Sequence, residues 1–540
     1  MVIIKFINKY SDAPKMKILL YSILSGISYA LALAIINAAM LHVSTGNDTL
    51  KISFLLLFVI FCLLHIYFKK YFMNKGVKLT ENVIRNVRED ITGKIRCSEL
   101  EVIENMGKGS IYTCLTEDTE AISQSAPSLI IALESMFCLC AGLFYIIYLS
   151  FYGFIFIIIL VFIMFFVYTN SSDSVTKKLK ISKIEETEFF DRLNDVLSGF
   201  KEIRINCKKN RDLFADIVSV SEKSAKLKTD AEIGLDNRLV LFVSLFFIML
   251  IGTIFIFPVF GIMEKDLITR LVSSLLFLWG PMAMLFVATR QYNILLVSIA
   301  NINKLEATLD NFNPRFPDKQ PEPPTDFTEI ALNSVEFCYK NKKGEMLFKM
   351  GPIDFSFKKG EIIFITGGNG SGKSTLMKLL TGLYYPEPGG AVTIGEERIT
   401  SETYPSYREL FSTIFTDFHI FEKLYGLKDI DEEKVNDLLR QMEINHKTEY
   451  IEEKFTNIKL STGQRKRLAY ITTLLEDKQV YVFDEWAADQ DPEFRKKFYN
   501  KFLNDMRVIG KTVIAVSHDD RYFHTADRIV KIEEGKTVTA

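Results

Sequence analysis

Six apolar stretches crowd into roughly the first 300 residues of the 540-residue chain, at 18–41, 52–72, 129–149, 151–168, 239–260 and 267–286. Each approaches or exceeds the ~20 residues that a helix rising ~1.5 Å per residue needs to cross a ~30 Å hydrocarbon layer. An all-α membrane domain of six helices is therefore expected over residues 1–312. The rest of the chain has the composition of an ordinary soluble α/β protein, so the whole is read as a multi-domain membrane protein.

Only a tight turn around residues 150–153 separates the third and fourth stretches, which makes them a helical hairpin. Long amphipathic segments rich in Lys and Arg separate the second from the third and the fourth from the fifth. If all six stretches cross, those segments share one side with the basic N-terminus (Lys5, Lys9, Lys15, Lys17) and with everything after the sixth. The positive charge makes that side the cytoplasm, with both termini inside, and the connections 44–51 and 263–266 on the opposite side are short. Lys15 and Lys17 precede the first stretch as they would in a secretory leader. Its apolar run continues to about Val43, however, and is read as a span.

A polar helix is expected to follow the sixth span to about Leu309. Residues 313–326 hold Pro314, Pro317, Pro321, Pro323 and Pro324, which fits an extended linker and excludes a helix. The soluble domain is placed at 327–540. With 65 Lys and Arg against 66 Asp and Glu, the charge balance gives no basis for a nucleic-acid partner. Seven scattered cysteines, without a CxxC or a Cys/His cluster, argue against a zinc site or a disulfide framework. Glu134 falls inside the third stretch, where a charge costs at least ~2.5 kcal/mol. It must face a cavity, as a cargo contact, or meet a structural partner.

In the soluble part, the apolar strand 362–366 runs into GGNGSGKST and then into the helical pattern LMKLLTGL. This is a P-loop in the context it requires: strand, glycine-rich turn, helix N-terminus. Gly367, Gly368, Asn369, Gly370, Ser371, Gly372, Lys373, Ser374 and Thr375 are assigned to nucleotide binding, with ATP and Mg2+ as the expected cofactors. Glycines let backbone N–H groups close around phosphates, and the helix dipole favours the anion. Lys373 supplies charge to the β- and γ-phosphates, and the Ser374 hydroxyl is placed to ligate the metal. The second element is QVYVFDE at 479–485, an apolar strand ending in two carboxylates. Asp484 is assigned to the Mg2+ shell and Glu485 to the general base that activates water.

The stretch LSTGQRKRLAY, 460–470, lies shortly before that strand and resembles the LSGGQ signature of ABC transporters. Other markers of that family stand around it in order. Tyr339 in VEFCYK resembles the aromatic that stacks on adenine, Asp491 in WAADQDP the D-loop aspartate, and His518 in TVIAVSHDD the switch histidine at the γ-phosphate. The resemblance implies that Ser461, Thr462, Gly463 and Gln464 of one chain close on the nucleotide held by the P-loop of another. One copy of each motif per chain then makes a second copy of the same chain the simplest partner. Residues 99–107 and 199–205 resemble the coupling-helix regions of exporters.

Two positions depart from the family pattern. Thr416 stands where most members carry the Q-loop glutamine, and its hydroxyl is too short to span the same gap to the metal, leaving water or Asp417 as substitutes. Thr462 replaces a signature glycine. The combination YRELFSTIFTDFHIF, LSTGQRKRLAY and FDEWAADQDPEFRKKFY resembles the cyclic-peptide and peptide-siderophore exporter group, which includes the syringomycin and pyoverdine exporters. That resemblance implies a homodimeric half-transporter in the bacterial plasma (inner) membrane, in contact with lipid, exporting a peptide-like substrate from the cytoplasm. A flippase for a lipid or lipid-linked amphiphile and a nucleotide-regulated gate that does not pump are the alternatives.

Overall fold

The computed structural model describes residues 2–11, 15–44, 52–259, 264–311, 324, 327–340 and 345–538. The chain divides into two compact units. One holds Met1–Glu89 and Thr113–Asn303, the other Asp90–Tyr112 and Lys304–Ala540. The expected linker at 313–326 lies outside the described residues apart from Pro324.

The first unit is built from α1 (Val2–Tyr10), α2 (Lys15–Ser44), most of α3 (Ile52–Cys97), α6 (Thr119–Leu149), α7 (Phe151–Ser198), α8 (Phe200–Ile205), α9 (Cys207–Ile251), α10 (Phe257–Val259) and most of α11 (Lys265–Asn311). The short α4 (Leu100–Met106) and all but the last residue of α5 (Lys108–Thr113) belong to the second unit. Among the described residues five helices are long and apolar enough to cross a membrane: Met16–Val43, Ile52–Cys97, Gly109–Leu149, Cys207–Val259 and Lys265–Asp310. The remaining expected span, 151–168, lies at the start of α7, where the described apolar stretch is Phe151–Ile163.

Local chemistry sets the turns. Ser150 ends α6 in an extended conformation, and its hydroxyl accepts from the Gly153 N–H at 3.1 Å, capping α7 and closing the expected hairpin. Helices α2 and α6 approach closely at Gly26, where a Cβ would lie 2.8 Å from the Phe137 carbonyl carbon. A core of Ile146, Ile157, Phe246, Met249, Leu271 and Leu278 joins α6, α7, α9 and α11.

Glu134 is fully buried and meets partners. Lys69 Nζ lies 3.0 Å from its carboxylate, Ser25 Oγ donates to it at 3.1 Å, and His65 Nε2 is 3.7 Å away. These contacts favour the structural reading of Glu134: its charge is paired and hydrogen-bonded, as a charge between membrane helices must be.

The second unit carries two main sheets. The strands are β1 (Glu329–Lys340), β2 (Met346–Lys358), β3 (Ile362–Thr366), β4 (Ala391–Ile394), β5 (Glu397–Arg398), β6 (Phe411–Ile414), β7 (Tyr450–Ile451), β8 (Lys454–Phe455), β9 (Val480–Asp484), β10 (Thr512–Val516), β11 (Arg528–Glu533) and β12 (Lys536–Val538). The helices are α12 (Lys373–Leu380), α13 (Tyr404–Arg408), α14 (Glu432–Gln441), α15 (Thr462–Leu475), α16 (Pro492–Lys497) and α17 (Leu503–Val508).

An antiparallel sheet runs β2-β1-β4-β5, and a six-stranded sheet runs β12-β11-β3-β10-β9-β6, parallel except for β12. The central parallel strands are apolar on both faces because both are covered. Ile363 and Ile365 of β3 enter one core with Leu376 and Leu380 of α12, while Ile362 and Phe364 enter the other with Leu468 and Ile471 of α15. The order β3-β10-β9 brings the C-terminal ends of three strands side by side, where ligands of open parallel sheets bind.

Candidate functional site: the nucleotide-binding strand ends

The P-loop follows β3 and ends on α12. Gly367 adopts φ 146°, and a Cβ there would lie 2.2 Å from the Ile532 carbonyl oxygen, so only glycine fits the turn. Lys373 is buried and donates from Nζ to the Gly367 and Gly368 carbonyls at 3.1 and 2.9 Å. Those bonds lay the ammonium across the loop that the sequence assigns to phosphate. The Ser371 hydroxyl, inside the same loop, is buried without a hydrogen-bond partner.

β9 delivers Asp484 and Glu485. Ser374 Oγ donates to Asp484 Oδ2 at 2.8 Å, whereas Asp484 Oδ1 is buried and unpartnered. Burial, with a smaller contribution from the Glu485 charge, pushes the Asp484 carboxyl above its ordinary value against the opposing bond from Ser374. Glu485 itself sits at φ 51°, a left-handed conformation unusual for a non-glycine residue. The Lys466 ammonium fixes it there, donating to the Glu485 carbonyl at 2.6 Å while pairing with Asp489 at 2.6 Å. His518, just beyond β10, places Nε2 3.1 Å from Glu485 Oε1. A carboxylate held by an imidazole, beside a buried carboxyl–hydroxyl pair and a phosphate-sized loop, is chemically equipped to bind a nucleotide and activate a water.

The other expected residues divide into those brought to this centre and those set apart. Tyr339 Oη lies 3.3 Å from Thr375 Oγ1 and 3.3 Å from the Tyr384 hydroxyl, which puts its ring beside the first turn of α12. Thr416 is exposed just after β6, and Asp417 beside it is exposed too.

The signature residues cap α15. Ser461 Oγ accepts from the Gln464 N–H at 3.5 Å, and the Gln464 side chain accepts from the Ser461 N–H at 3.3 Å. Gln464 thus has a structural task at the helix start. Thr462 is exposed, and a Cβ on Gly463 would lie 2.7 Å from the Asp489 carbonyl oxygen. Asp491 caps α16 through the Phe494 N–H at 2.9 Å and accepts from Arg467 at 2.6 Å. The Phe494 bond, with the Arg467 charge, holds its carboxyl below the ordinary range.

Sequence reasoning missed Lys466 and Arg467. Nothing in QRKR sets them apart from the other cations, yet Lys466 is 3% exposed and the Arg467 guanidinium lies 3.6 Å from the Phe494 ring centre. The region that resembles a coupling helix, 99–107, holds α4. Glu99 pairs with Arg408 at 2.6 Å and accepts from the Tyr385 hydroxyl at 2.6 Å, and Glu104 pairs with Lys378 at 2.9 Å.

Residues 350–488 match the family described as ABC transporter, and residues 15–257 match the ABC transporter transmembrane region. The chain belongs to the ABC transporters; it is an exporter half-transporter, with one membrane part and one ATP-binding part, and an ATPase coupled to transport. It is similar to ATP-binding protein SyrD of Pseudomonas syringae pv. syringae, 29% identical over 96% of this chain and 93% of that protein. A shorter match, 28% identical over 38% of this chain and 36% of the relative, is to the nisin transport ATP-binding protein NisT of Lactococcus lactis subsp. lactis. In fold it resembles a bacterial Atm1-family ABC exporter with ATP bound, with a TM-score of 0.76 and 18% identity, covering 96% of this chain and 93% of that one.

Proposed function

We propose that two copies of this chain form a homodimer in the bacterial plasma membrane that exports a peptide or peptide-like small molecule, driven by ATP hydrolysis. The boundaries are 1–312 for the membrane domain and 327–540 for the ATP-binding domain, with that domain and both termini in the cytoplasm. The observation that carries the peptide reading is the similarity to SyrD, which runs through the membrane helices as well as the ATPase. It agrees with the resemblance of 407–421, 460–470 and 483–499 to peptide exporters. The match to a relative named for nisin transport points the same way.

In this reading Tyr339 stacks on adenine, the 367–375 loop holds the phosphates, and Lys373 offsets their charge. Mg2+ fits the residues present: Asp484 Oδ1 is a buried acceptor without a partner, next to the Ser374 hydroxyl. Ser374 and Asp484 would hold the ion, with Thr416 reaching it through water, and it would offset charge on the phosphates. Glu485 accepts the proton of the attacking water, and His518 orients Glu485 and meets the γ-phosphate. Ser461 and Gly463 at the start of α15 close on the partner subunit's nucleotide, where the helix dipole favours the anion.

Comparing the small molecules released by cells that carry the wild-type or the Glu485→Gln protein tests the cargo. A peptide secreted by the first and retained by the second supports the reading. Identical peptide release from both contradicts it.

A further inference from the structure

Glu485 and His518 follow neighbouring strands, β9 and β10, whose pairing brings both turns to one edge but ends at Asp484 and Val516, so the ladder itself does not hold one turn against the other. One side chain outside both turns does. Arg495, on α16, donates from Nε to the Ala487 carbonyl at 3.2 Å, and from one terminal nitrogen to the Ala488 and Gln490 carbonyls at 3.1 and 3.2 Å. Its other terminal nitrogen lies 3.5 Å from Asp519 Oδ2.

The three carbonyls belong to the single 3-10 turn Trp486–Asp489 and its exit, directly after Glu485. A turn that short makes one such bond of its own, from the Gln490 N–H to the Ala487 carbonyl at 3.2 Å, and leaves accepting capacity on all three carbonyls. The planar guanidinium, with five donors in a fixed fork, satisfies three of them at once and still reaches a carboxylate. Asp519 follows His518 and is itself oriented. It accepts from Arg521 at 2.8 and 2.7 Å, and its N–H donates to Ser517 Oγ, which bonds the Tyr499 hydroxyl at 2.7 Å. Glu485, His518, Arg495 and Asp519 line one open cavity of about 450 Å³.

We propose that Arg495 is a positioning residue for ATP hydrolysis, clasping the turn after Glu485 to the turn after His518 through Asp519 and so setting the contact between base and histidine. The inference rests on the reading of Glu485 as base and His518 as its partner. P-loop binding of nucleotide is built on β3 and α12 and needs none of these contacts. Loss of the clasp therefore lowers turnover and spares affinity. Lysine, with one nitrogen, cannot hold the three carbonyls and Asp519 together.

The test uses the full-length protein in liposomes, measuring ATPase kcat and KM together with thermal unfolding. Arg495→Met and Asp519→Asn are each expected to lower kcat by about tenfold or more, as displacement of a catalytic group does, with KM for ATP within about twofold of wild type. Arg495→Lys should recover less than half of the lost turnover. A kcat within twofold of wild type in Asp519→Asn overturns the proposal. So does a parallel change in kcat and KM, which a generally loosened fold would give. Should Arg495→Met fail to fold, Asp519→Asn decides alone, because it keeps every bond from Arg495 to the carbonyls. Glu485→Gln is the control. If it hydrolyses ATP like wild type, the assignment of the base has failed, and that outcome is distinct from a failure of the clasp.

Discussion

His518 Nε2 lies 3.1 Å from Glu485 Oε1, although 33 positions separate the two residues in the chain. The closeness follows from parallel pairing of β9 with β10, which sets Val516 opposite Asp484, so that each strand delivers its polar residues to the same edge. A carboxylate at that spot serves as base only with its charge oriented and a proton acceptor free.

Removal of either member should therefore stop turnover without preventing binding. Glu485→Gln is expected to lower kcat by about 10²–10⁴, the range for losing a general base, while still binding ATP. His518→Ala should give a loss of the same kind. ATPase assays beside nucleotide-binding titrations check both, and unchanged turnover in Glu485→Gln would remove the base.

Metal dependence should carry the signature of Asp484. A protonated carboxyl does not ligate a cation, and burial raises the pKa of this one above its ordinary range. As pH falls, apparent Mg2+ affinity should begin to weaken at a higher pH than an exposed aspartate would dictate. Below the shifted pKa the loss should approach about tenfold per pH unit. Mg2+ titration of ATPase activity at stepped pH measures this, and Asp484→Asn should be weak in Mg2+ use throughout.

Much of this centre was legible in the sequence because its parts are short-range. The glycines, Lys373 and Ser374 fall within one turn and one helix start, and QVYVFDE announces a buried strand that ends in acids. The unread part depends on tertiary neighbours. Nothing in QRKR says that Lys466 turns inward to the Glu485 carbonyl while Arg465, one residue earlier, donates to the Phe418 carbonyl. Burial of Lys466 requires β9 and the turn after it to pack over α15. The same holds in the membrane part: the sequence flags Glu134 as costly, but its partner Lys69 lies 65 positions away on α3. The division of the chain was also hidden, because Asp90–Tyr112 groups with the ATP-binding residues through pairs such as Glu99 with Arg408.

At the signature, Gly463 has a packing reason of its own. A Cβ there would press on the Asp489 carbonyl at 2.7 Å and push α15 away from the turn after Glu485. Gly463→Ala is expected to lower ATPase activity by on the order of tenfold through that displacement. Thr462→Gly, at an exposed position, should leave folding stability unchanged. Turnover and thermal unfolding of the two variants separate these effects.

Within the membrane part, Lys69→Met leaves Glu134 buried without its lysine partner, beside His65, Ser25 and the Cys138 thiol. We expect a loss of roughly 2–3 kcal/mol in stability, with Lys69→Met combined with Glu134→Gln recovering most of it. Unfolding of detergent-solubilised protein reads the difference, and full additivity of the two single changes would contradict the pairing.

Turnover as proposed requires two chains to close over shared nucleotides, and cross-linking tests that most directly. In a background freed of its seven native cysteines, Asn369→Cys in one Glu485→Gln chain and Ser461→Cys in another place one thiol in each facing motif. ATP with Mg2+ should produce a disulfide-linked dimer that is absent without nucleotide. Chains that stay monomeric with both present, or cross-link equally without them, would contradict the account.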